Sequence, residues 1–168
     1  MSLQFRFDQE KALEVLYITN KSGDTYTALK ILYFADRTHL GRYGRLICGD
    51  SYIAMDKGPV PSGVYDLVKQ VRNGKRDECN ASASAAFTVI RNTIKSLRKA
   101  NLDLLSESDI ECLDEACNKY GHMTFGQFKT ASHDSAYKAE DHNSIIPLEA
   151  ILRSLPNGEL VLAHINDC

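Results

Sequence analysis

The chain has 168 residues, 43% of them apolar and 25% charged, and its formal net charge at pH 7 is −2. That is enough apolar material for one continuous core, and it argues against disorder and against two full domains. The balance also lacks the basic excess needed for wholesale phosphate neutralisation, so direct nucleic-acid binding is not expected.

The opening MSLQFRFDQE has no basic start followed by a long apolar run, and no 18-residue apolar stretch occurs anywhere. These absences predict a cytoplasmic protein without membrane contact. Five cysteines, Cys48, Cys79, Cys112, Cys117 and Cys168, are odd in number and scattered, the pattern of reduced thiols rather than of a disulfide framework.

Asp8 is placed to cap a first helix that carries Ala12, Leu13, Leu16 and Tyr17 on one side and runs out at Lys21-Ser22-Gly23. A second helix starts at Asp24 or Thr25 and runs through Leu40, ended by Gly41 and Gly44. Between Thr27 and Ala35 its only charged residue is Lys30, so nearly every face is apolar and the helix belongs at the centre of the fold. Leu46-Ile47-Cys48 and Tyr52-Ile53-Ala54 flank Gly49-Asp50, which reads as a short hairpin or two irregular strands. Gly58-Pro59-Val60-Pro61 reads as a stiff loop, with Pro61 opening a third helix. Val64, Leu67, Val68 and Val71 form that helix's stripe, closed by Asn73-Gly74.

Lys75 to Ala86, small and polar, is the candidate mobile loop. Phe87 to Leu97 reads as a hairpin around Asn92-Thr93, although Arg91 to Ala100 also scores as a short helix. Ser106 and Asp109 make a capping box for a helix with Ile110, Leu113, Ala116, Cys117 and Tyr120, stopped by Gly121. Thr124 caps a short helix to Ala131, and Pro147 to Leu155 is helical by the spacing of Leu148, Ile151, Leu152 and Leu155. The expected fold is α+β: mainly helical, one domain, with one or two short β-hairpins packed around the apolar second helix.

His133-Asp134 is the one pair that suggests metal chemistry, since an adjacent imidazole and carboxylate can share a divalent ion. His39 or His122 and Asp167 would have to complete the set, and their spacing matches no defensible pattern. The preferred reading has His133 and Asp134 capping and bracing a helix-to-loop junction. Cys112 and Cys117 diverge by roughly 140° on a helix and suit core packing better than a shared zinc. No phosphate-binding glycine loop, GxGxxG or GxSxG occurs, so neither an enzyme nor a cofactor or metal site is expected. Arg91, Lys95, Arg98 and Lys99 form a local basic cluster, read first as a solvated face and second as a contact for an acidic partner or nucleic acid.

The run LKILYFADRTHLGRYGRLICGDSYIAMDKGPVPSGVYD from Leu29 to Asp66 resembles the signature block of the SocA-like Panacea domain family. LSESDIECLDEACNKYG, followed by Ser132-His133-Asp134, is similar to that family's second block in order and spacing. The resemblance implies an antitoxin that binds and neutralises a cognate toxin encoded beside it. Some relatives act as adaptors that present the toxin to a protease, and the family is not known for an enzymatic reaction. The resemblance also marks Tyr33, Asp36, His39, Asp50, His133 and Asp134 as motif residues without assigning their roles. Tyr137 stands where the family pattern has a tryptophan.

For the partner-facing surface, the proline-stiffened stretch with its neighbouring aromatic and apolar side chains is the candidate: Tyr52, Met55, Gly58, Pro59, Val60, Pro61 and Tyr65. Its preorganisation lowers the entropic cost of binding. The competing reading has the prolines only aiming the third helix. Two other functions stay open at this point, a metal-dependent hydrolase using His133 and Asp134 and a phage-associated regulatory protein without a toxin.

Overall fold

The computed structural model describes residues 5–74 and 81–167. Helix α1 (Gln9–Thr19) starts where the Asp8 carboxylate accepts from Lys11 N. It buries Ala12, Leu13 and Leu16, while Tyr17, expected on the same side, is 38% exposed. Helix α2 (Thr25–Tyr43) is capped by Asp24 and ended by Gly44 in the left-handed region at φ 73°. Every residue from Ala28 to Asp36 is buried, and α1, the strand Gly58–Pro61 and the helices Glu107–Tyr120, Phe125–Ser132 and Leu148–Arg153 pack around it. Gly41 does not end the helix as expected; its carbonyl accepts from Asn157 Nδ2 (2.8 Å) instead.

The first hairpin lies one turn later than the sequence suggests. Strand β1 (Tyr52–Met55) pairs antiparallel with β2 (Gly58–Pro61), turning at Asp56-Lys57. Residues 45–50 form no ladder because their polar groups are claimed elsewhere. Ile47 N donates to Asp36 Oδ1 (2.8 Å), and Cys48 O accepts from Asp8 N (2.9 Å). The stretch 58–61, expected as a loop, is therefore a strand. Its register pairs Gly58 with Met55 and Val60 with Ile53, so Pro59 and Pro61, which lack an N–H, fall on the outward positions where no ladder donor is needed. On the far side of β1, residues 144–146 add a third segment, with Ala54 N donating to Ser144 O and Ile146 N to Tyr52 O.

Helix α3 (Ser62–Arg72) buries Val64, Leu67 and Val68. Pro61 is its N-cap rather than its first helical residue. Of the expected mobile loop, residues 75–80 lie outside the described residues, and Ala81–Ala86 forms helix α4, with Ala83 and Ala86 buried. Its small side chains let it seat against α1 and α3. Strands β3 (Phe87–Ile90) and β4 (Thr93–Ser96) form the second hairpin, with Arg91 at φ 57° in its two-residue turn.

Helix α5 (Glu107–Tyr120) carries the Ser106/Asp109 capping box. Helix α6 (Phe125–Ser132) has a second box, Thr124 with Gln127. Short helices α7 (Ser135–Lys138) and α8 (Leu148–Arg153) follow, then α9 (Gly158–Asn166). The fold is α+β and mainly helical, with two small antiparallel sheets among the described residues. Among the described residues no helix is long and apolar enough to cross a membrane.

Candidate functional site

The motif residues gather on the polar side chains of α2 and tie that helix to almost everything around it. Asp36 is 1% exposed. Its Oδ1 accepts from Ile47 N, and its Oδ2 accepts from the Tyr52 hydroxyl at 2.6 Å. Burial pushes its carboxyl up to about 7, against those two donors. One turn on, His39 Nδ1 lies 2.9 Å from Arg45 O, which can only accept, so Nδ1 carries the proton. Nε2 is then the acceptor for the Ser108 hydroxyl at 2.9 Å. Burial lowers the imidazole's affinity for a second proton, which leaves His39 a neutral strut between α2 and α5.

Asp50 performs a cap at a distance. Pro61 has no side-chain donor or acceptor for the start of α3, and the Asp50 carboxylate takes its place, accepting from Gly63 N (2.8 Å) and Val64 N (2.9 Å).

His133 and Asp134 sit at the junction of α6 and α7. His133 is the C-cap of α6, and Asp134 caps α7 by accepting from Tyr137 N (3.0 Å). The other Asp134 oxygen accepts from the Tyr33 hydroxyl at 2.6 Å and lies 3.2 Å from Arg37 Nη1. Tyr137 packs its ring 4.2 Å from that of His133 and donates its hydroxyl to Met55 O at 2.7 Å. It thereby ties α7 to the first hairpin. Among the described residues no three His, Cys, Asp or Glu side chains converge as a metal site, and His39 is engaged with Arg45 and Ser108 instead.

Two residues that the motif reading passed over complete this polar layer. Lys30 is 1% exposed, and its ammonium nitrogen donates to Pro59 O (2.5 Å). Burial lowers it to about 7. Beside it, the buried Ser132 hydroxyl has no hydrogen-bond partner among the described residues, and Gly58 passes so closely that a Cβ there would lie 2.6 Å from Ser132 Oγ and 2.9 Å from Lys30 Nζ. The sequence shows Lys30 as the one charge in the apolar run from Thr27 to Ala35, but not that it is buried against Pro59.

The expected partner-facing set divides. Tyr52 is a correction: at 1% exposure, with its hydroxyl on Asp36, it belongs to the core. Gly58, Pro59 and Pro61 are buried too, the strand lying against α2. Met55, Val60 and Tyr65 reach the surface, where with Ile53, Lys69 and Asn143 they line a cleft of about 220 Å³. The Lys69 ammonium rests 4.6 Å from the Tyr65 ring centroid, holding that ring at the cleft wall. Next to Ile53, Ile145 is 62% exposed.

A family model for the antitoxin SocA-like Panacea domain matches residues 29–138. The chain belongs to that family. The matched span of this Panacea domain runs from α2 to α7 and contains the whole polar layer and the first hairpin. Family membership supports a general antitoxin role and with it a protein partner. No curated protein and no solved structure matches the chain.

Proposed function

We infer that this protein is the antitoxin of a toxin encoded beside it, and that it captures the toxin at the cleft formed by the β1–β2 hairpin and α3. The observation that carries the reading is the division of labour within the motif. Its polar residues are turned inward and brace the hairpin on α2, while Met55, Val60 and Tyr65 line an apolar cleft outside. A braced backbone holding an aromatic and two aliphatic side chains at the surface is a preorganised anchor site. Neutralisation is then stoichiometric binding and needs no bond-making step.

The test is co-expression with the neighbouring gene product, scored by growth rescue and co-purification. Tyr65→Ala and Met55→Ala are expected to weaken binding by about 2 kcal/mol or more when combined, roughly 30-fold in Kd, with the thermal melt of the free variant close to that of the unmodified chain. Full rescue and unchanged affinity in the double variant would remove this cleft from the interface.

A further inference from the structure

The second hairpin carries a different surface. From Phe87 to Ala100 the chain holds Arg91, Lys95, Arg98 and Lys99 and no acidic residue. Phe87, Val89 and Ile94 face inward and are buried, so the strand alternation turns Thr88, Ile90, Thr93 and Lys95 outward. Two large apolar residues stand in the open here: Ile90 is 73% exposed and Leu97 51%.

Among the described residues, the acids beside this hairpin are engaged within the fold. Glu14 accepts from Arg98 Nη1 (2.6 Å), Arg98 Nη2 (3.1 Å) and Asn101 N (2.9 Å). Asp24, bridged to Thr93, gives its carboxylate to Thr27 N and Thr27 Oγ1 at the start of α2. Arg91, Lys95 and Lys99 are exposed and have no acidic partner among the described residues. Along β4, Thr93 and Lys95 lie on one face about 6.8 Å apart, the repeat of an extended chain, and the exposed Leu97 follows directly after the strand's end.

We propose that the outward face of the β3–β4 hairpin docks an acidic, extended segment of a protein partner, with carboxylates against Arg91, Lys95 and Lys99 and apolar side chains against Ile90 and Leu97. Charge complementarity selects the acidic partner, and the extended strands that turn Ile90 and Lys95 outward select an extended one that offers apolar as well as acidic side chains. Nucleic acid fits less well, because three exposed cations set among aliphatic side chains offer neither a phosphate track nor a stacking platform. The inference needs a protein partner, but not that the partner be a toxin.

The experiment titrates the ¹⁵N-labelled full chain with three probes: a short peptide in which Leu and Glu alternate with serine spacers, its Gln-for-Glu counterpart, and a DNA duplex. Shift changes are expected from the Glu peptide alone and confined to the hairpin and its flanks. They should weaken about fivefold or more as ionic strength rises from roughly 50 to 500 mM. The Lys95→Glu, Lys99→Glu double variant should keep the melt of the unmodified chain and lose the response. Absent shifts, shifts centred elsewhere, equal shifts with the Gln peptide, or a response to DNA alone would each overturn the proposal. No toxin is used, so failure here leaves the β1–β2 reading standing, and failure of the co-expression test leaves this one.

Discussion

Lys30 lies at 1% exposure in the middle of α2, its ammonium nitrogen on Pro59 O and 5.3 Å from the Tyr26 ring centroid, with no carboxylate paired to it among the described residues. Burial lowers its proton affinity from an ordinary 10.5 to about 7. The unfolded chain therefore binds this proton more tightly than the folded one, so stability from this group rises as pH climbs from about 7 to 10.5 and is lowest at or below 7. At about 1.36 kcal/mol per pH unit, the buried lysine costs on the order of 5 kcal/mol at neutrality. Lys30→Met keeps the length and removes that cost, but leaves Pro59 O without its donor, a loss of about 1–3 kcal/mol. The variant should thus be more stable by roughly 2–4 kcal/mol at pH 7. That corresponds to a melting temperature higher by about 4–16 °C. Thermal and urea melts of both chains at pH 7 and pH 10 supply the check, the gap closing toward pH 10. A variant less stable at pH 7, or a gap that does not change with pH, would show that the ammonium is well compensated where it lies.

Asp36 should act with the opposite sign. Its carboxyl is raised from 3.8 to about 7, so its contribution to stability falls as pH rises from about 4 to 7, by up to about 4 kcal/mol. Urea midpoints of Asp36→Asn and the unmodified chain, compared at pH 4.5 and 7, should diverge in the variant's favour; parallel profiles would refute the shift. Gly58→Ala places a Cβ 2.6 Å from Ser132 Oγ at φ 112° and should cost roughly 2–4 kcal/mol, read as a lower melting temperature. An unchanged melt would mean that the hairpin has room to move. Leu67→Ala, at a site 4% exposed, should cost about 2–5 kcal/mol through the cavity it leaves, and calorimetry checks this directly.

What the sequence determined by itself is what depends on near neighbours. The caps at Asp8, Asp24, Ser106 and Thr124 act on amides three residues away. The apolar run of α2 and the stripe of α3 are periodic patterns that read the same in one dimension as in three, whereas Arg91 to Ala100 scores as strand or short helix and only the β3–β4 pairing decides for the hairpin. The strand alternation that buries Phe87 and Val89 is visible in the letters alone.

Tertiary structure decided whatever depends on a partner far along the chain. Leu46 to Asp50 has the look of strand and turn, but its amides and carboxylate answer to Asp36, Asp8 and the start of α3 instead, which moves the hairpin to β1–β2. The two prolines looked like loop residues because the sequence does not show which edge of a strand faces away from its neighbour. The motif residues were legible as names, yet Tyr33 reaches Asp134 across 101 positions and His39 reaches Ser108 across 69. Tyr52 moved from expected surface to core for the same reason. A tyrosine's hydroxyl is as content on a buried carboxylate as in water, and only the packing around Asp36 says which it meets.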